Sequence, residues 1–158
     1  MSLIRKNDAL FVGLALVLSV LTMASGIIAA PKLENIVLVT AAGSHEFQTE
    51  IAGTPEQRQL GLMYRQSLPK NHAMLFDYHA VGPISMWMKN TYIPLDMIFI
   101  TSNGRVSSIA ANTVPFSEKV ISSNGAVRAV LEVNAGTAAR IGLQPGDKVL
   151  HRLFSSKN

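Results

Sequence analysis

Beyond Pro31 the chain is a succession of short β-branched and aromatic segments broken by turn residues, a rhythm that suits strands and leaves no room for a long helix. Strands are expected over residues 36–40, 45–51, 74–78, 84–88, 95–101, 105–111, 119–122, 127–133 and 148–153. Ala42-Gly43-Ser44 joins the first two as a hairpin would be joined. Asn103-Gly104 and Asn124-Gly125 each lie between two later segments, and both residue types tolerate the positive φ of tight hairpin turns. Two interruptions read as helical. Thr54-Pro55-Glu56-Gln57 offers a Thr cap, Pro at the first helical position and Gln at the third, and opens a brief helix to about Leu62. Ala138-Ala139-Arg140-Ile141, closed by Gly142, supplies a last helical turn before Pro145-Gly146-Asp147. The pattern predicts an all-β domain: a compact antiparallel barrel or sandwich with one or two short helices.

The N-terminal run gives the expected address. Arg5 and Lys6 precede an apolar stretch over residues 9–21, interrupted only by Gly13 and Ser19, and small residues follow at Ala24, Gly26, Ala29 and Ala30. This reads as a signal peptide over residues 1–29, cut after Ala29 or Gly26, ahead of one domain over 30–158. The alternative is an uncleaved anchor, for which residues 9–23 alone are short. Either way the domain is expected to be periplasmic or otherwise exported, touching a membrane only through this segment. Setting aside Arg5, Lys6 and Asp8, the remaining basic residues only slightly outnumber the acidic ones, and they are scattered singly, which argues against a nucleic-acid surface. Cysteine is absent, so there is no disulfide, no thiolate nucleophile and no thiolate metal site.

Gly61-Leu62-Met63-Tyr64-Arg65, Met74-Leu75-Phe76, Trp87-Met88-Lys89-Asn90-Thr91, Pro94-Leu95-Asp96, and Leu131-Glu132 with Gly136 and Gly146-Asp147 occur in an order and spacing that resemble the domain-of-unknown-function 192 family. The likeness runs from about Ile36 to Leu150. It implies a compact β-barrel-like domain, often exported, with no established reaction. Two positions depart from the family pattern: Met86 stands where an aromatic residue is usual, and Ala73 where glycine is usual. Some members also carry paired cysteines in the loop corresponding to residues 114–123, and this chain does not.

Strand alternation puts Trp87, Lys89 and Thr91 on one side of an extended segment and Met86, Met88 and Asn90 on the other. With Pro94 turning the chain ahead of Asp96, the candidate binding residues are Arg65, Trp87, Lys89, Asn90, Thr91 and Asp96. Their ligand would be a small polar or anionic molecule, or a partner in the cell envelope. Four of them have a structural alternative. Trp87 can be ordinary core, Lys89 can be solvated or paired with Asp96, and Asp96 can accept backbone N–H bonds that fix its turn. Arg65 can hold a carbonyl or Glu132. Glu132 lies within an apolar strand and is expected to be half-buried against Arg65 or Arg128.

Two rival functions stay open: a hydrolase using Asp96 or Glu132 for acid–base work, and a purely structural or interaction module. Met63, Met74, Met86, Met88 and Met97 are close in sequence, and thioethers suit Cu(I), yet methionine commonly fills irregular cores and is expected to do so here. His45, His72, His79 and His151 lack ligand spacing. Neither a tight metal site nor a cofactor is expected.

Overall fold

A computed structural model describes residues 32–155, so the signal expected over 1–29 lies outside the described residues. Among the described residues, no helix is long and apolar enough to cross a membrane. The chain forms β1 (Leu33–Thr40), β2 (Gly43–Ala52), α1 (Pro55–Leu60), β3 (His72–Gly82), β4 (Ser85–Met86), β5 (Leu95–Ile100), β6 (Val106–Ala110), β7 (Ile121–Ser122), β8 (Val127–Asn134), α2 (Thr137–Ile141) and β9 (Lys148–Leu150), then a 3-10 turn over Arg152–Phe154. The all-β expectation holds. Seven strands make one curled sheet in the order β6-β5-β8-β3-β2-β1-β9, and β4 pairs with β7 apart from it.

The curl is a half-barrel whose two edge strands meet at one end. Arg105 and Lys148 form a bridge, and the Val106 and Val149 amides donate to the carbonyls of Asp147 and Gly104 at 2.9 and 2.8 Å. Gly104 makes this approach possible. Its φ is +70°, and a Cβ there would lie 2.7 Å from the Val149 carbonyl oxygen.

Three expectations need correction. The sheet is mixed, because β2 and β3 run parallel; a parallel neighbour needs a long crossover, and α1 with the loop after it provides one. Asn124-Gly125 forms no hairpin, since β7 pairs with β4 while β8 enters the middle of the large sheet between β5 and β3. The strand expected over 84–88 stops at Met86, after which the chain turns through Asn90 with φ 54°. Alternation therefore fails beyond Met86: Thr91 is buried, whereas Trp87 is 45% exposed. The helix near Thr54 forms with both halves of its capping box, and it ends at Leu60 rather than Leu62.

β8 is buried on both faces, so the sheet carries two cores. The concave face gathers Ile36, Leu38, Phe47, Leu75, Ile98, Leu131, Ile141 and Val149 with neighbouring aliphatic residues. The convex face gathers Met74, Phe76, Met88, Leu95, Met97, Phe99 and Val130 beneath the segments 61–68 and 84–93.

Candidate functional site

On β8, alternation sends Leu131 and Val133 to the concave core and Val130 and Glu132 to the convex one. Glu132 is 4% exposed. Its cross-strand neighbours are Met74 on β3 and Met97 on β5, neither of which can pair with a carboxylate. Among the described residues it has no hydrogen-bond or ion-pair partner, and burial alone pushes its carboxyl up to about 8. The acid is therefore mostly neutral at pH 7.

Glu132 opens onto a cavity of about 80 Å³. Phe76, Tyr78 and Thr91 line it together with Met63, Met86 and Trp87. Arg58 of α1 completes the wall: its guanidinium lies 5.0 Å from the Tyr78 ring centroid and donates to the carbonyls of Gly53 and Asp77 at 2.6 and 2.9 Å. Burial raises the Tyr78 hydroxyl above its usual range, and that hydroxyl contacts the Met86 sulfur at 3.3 Å. Gly61 packs against Phe76, where a Cβ would approach the ring to 3.0 Å at a φ of +49°.

Five non-glycine residues among those described have positive φ, and three of them are in loops near the cavity without lining it. Tyr64, Asn90 and Phe116 adopt φ values of 63°, 54° and 62°, a region where bulky side chains are outliers. Two of them hold each other, the Tyr64 amide donating to the Asn90 carbonyl and the Asn90 amide group to the Tyr64 hydroxyl, both at 2.9 Å.

The six residues singled out from sequence separate into three groups. Trp87 and Thr91 line the cavity, while Lys89 and Asn90 flank it; Lys89 lies 5.2 Å from the Trp87 ring centroid and 3.7 Å from Glu118, not against Asp96. Arg65 lies across Leu60 and Gly61 in a neighbouring groove, where it grips Glu50 with two hydrogen bonds of 2.5 and 2.7 Å. Asp96 is fully buried near the start of β5, on the opposite face of the sheet from Glu132, and accepts from the amides of Asn112, Gly136 and Ala138 at 2.9, 3.2 and 2.8 Å. It anchors the entry to α2 and does not face Trp87.

The ion pairs expected for Glu132 are absent because both arginines are engaged elsewhere. Arg65 holds Glu50, and Arg128 holds Asp77 at 2.8 Å. Burial works against ionisation of Asp77, but Arg128 and the His79 amide outweigh it and keep the group below the ordinary carboxylate range. Nor do Asp96 and Glu132 form a carboxylate pair. Asp96 registers with Val133 and Glu132 with Met97, so the two side chains leave opposite faces of the sheet. Nothing local in the sequence marks Arg58, Tyr78 and Met63 as wall residues; the one visible signal is a glutamate inside an apolar run.

The family model described as "Uncharacterized ACR", of the domain of unknown function 192, matches residues 37–151. The chain belongs to that family. A solved structure from Sinorhizobium meliloti 1021, described as a candidate transcription regulator, is 48% identical, with a TM-score of 0.74 over 77% of this chain and 95% of that one. A protein of unknown function from Novosphingobium aromaticivorans DSM 12444 is 38% identical, with a TM-score of 0.76 over 79% and 89% of the two chains. Among curated proteins none matches.

Proposed function

We propose that this family member is an exported domain that binds a small polar ligand in the cavity above Glu132. The observation that carries the reading is a carboxyl 4% exposed, without a protein partner among the described residues, and facing that cavity. The carboxyl meets no protein donor among the described residues and reaches outward only into the cavity, where a ligand would complete its hydrogen bonding. The site is thus recentred from Asp96 and Arg65, which are committed to structural bonds, to Glu132, Arg58, Tyr78 and Trp87.

Native mass spectrometry of the full chain purified from its own host tests this. A bound mass is expected on the wild type and its loss from Glu132→Gln and Trp87→Ala. A bare wild-type mass, or a bound mass unaffected by both substitutions, would overturn the reading. Recovery of the chain with an intact Met1 in the cytoplasmic fraction would overturn the export part of the proposal.

A further inference from the structure

Methionine is distributed unevenly between the two cores. The concave cluster is built from Ile, Leu, Val, Phe and Ala and contains no methionine. Met74, Met88 and Met97 are buried in the convex cluster, Met86 packs against it, and Met63 joins Met86 on the cavity wall. Gap-filling accounts for methionine in either core but not for its confinement to one of them. The five thioethers share the face that holds one uncompensated carboxyl, with Met74 and Met97 directly beside Glu132 in the sheet register.

The two wall methionines differ from the other three. Met74, Met88 and Met97 are at most 5% exposed, whereas Met63 and Met86 are half-buried. Their sulfurs already meet polar groups, Met86 at the Tyr78 hydroxyl and Met63 within 4.0 Å of the Asn90 amide. Resting on the reading of this cavity as a binding site, we propose that its ligand is a soft monovalent metal ion, Cu(I), held by the Met63 and Met86 thioethers and the Glu132 carboxylate beside the Trp87 indole.

Charge and softness both favour this choice. Thioether sulfur selects Cu(I) over hard cations, and the described residues contain no group of three His, Cys, Asp or Glu side chains that would suit zinc. A single carboxylate offsets the charge of a monovalent ion, and the Arg58 guanidinium, held by the Gly53 and Asp77 carbonyls, makes each further unit of positive charge at this wall more costly. The indole attracts cations, as the Lys89 ammonium above its ring shows. On binding, Glu132 releases its proton to solvent as its oxygen ligates the ion, and copper stays in the +1 state throughout. This reverses the expectation from residue types, because placement divides the methionines into three that fill the core and two that face the cavity.

The test is an anaerobic titration of the full chain with Cu(I) against the chromophoric competitor bicinchoninate, read also through Trp87, the chain's single tryptophan. One Cu(I) per chain with quenched fluorescence is expected. Met63→Leu and Met86→Leu should each weaken binding at least about tenfold, while Met88→Leu leaves it unchanged. The other charged or titratable groups on the cavity wall are Arg58 and Tyr78. Glu132→Gln, which removes the only carboxylate from the ligand set, should also weaken binding at least about tenfold. Absence of competition with bicinchoninate, or binding indifferent to both wall substitutions, overturns the metal assignment. An organic mass lost from Glu132→Gln, with no Cu(I) uptake, would overturn the metal assignment and leave the broader binding reading standing.

Discussion

The two faces of the curled sheet follow different rules although they share the same central strands. The concave face is aliphatic, free of methionine and closed by α2 and the Arg152–Phe154 turn; its nearest buried acid, Asp96, has three backbone donors. The convex face is rich in methionine, encloses a cavity and contains an acid with no partner among the described residues. Both acids lie in or beside apolar strand runs, so burial alone does not distinguish them. What differs is whether backbone amides converge on the carboxylate. Where they do, the acid is part of the fold; where they do not, it lowers stability and is available to something else.

The comparison is easiest to break at Asp96. Asn keeps one acceptor oxygen and turns an amine toward N–H donors, so Asp96→Asn should lower unfolding free energy by about 3 kcal/mol. Urea titration checks this, and ligand retention should be unchanged in whatever fraction remains folded. A stable Asp96→Asn that loses ligand would move the site back toward β5. At Glu132 the sign reverses. Replacing an acid that meets no protein donor by an apolar group of similar size, Glu132→Leu, should raise stability by about 3 kcal/mol at pH 7, the linkage cost of its raised pKa there, while abolishing ligand binding. Lys89→Ala should shift stability by less than about 0.5 kcal/mol, since its contact with Glu118 is long and both side chains are well exposed. A larger loss at Lys89 in the same urea titration would show that the mouth of the cavity contributes to the fold.

The strands, the capping box at Thr54 and the glycine stop after α2 were legible because each depends on residues adjacent in sequence. The structural alternative for Asp96 was legible for the same reason, as a carboxylate beside a proline turn has local amides to accept from. Charge pairing was not legible, because it depends on strand register. Arg65 reaches Glu50 across the parallel crossover, and Arg128 reaches Asp77 from β8 to β3. Once those pairs form, Glu132 is left between Met74 and Met97, a consequence of the β3-β8-β5 register that no local motif encodes. The cavity was hidden too, since Arg58, Tyr78, Met86 and Glu132 converge on it from separate elements.

The central claim, that Glu132 is buried without a partner and held neutral, is tested most directly by the pH dependence of its own contribution to stability. Unfolding free energies of the wild type and Glu132→Gln, measured across pH and subtracted, cancel the titration of every other group. The folded acid titrates near 8 against an ordinary value of 4.5, so the native state binds the extra proton between them. The Glu132 contribution should be fully retained below about 4.5, decline by up to about 1.4 kcal/mol per pH unit as pH rises, and level off above about 8. A difference that stays flat from pH 4 to pH 9, or one that grows with pH as an ion-paired carboxylate would make it, would contradict the account.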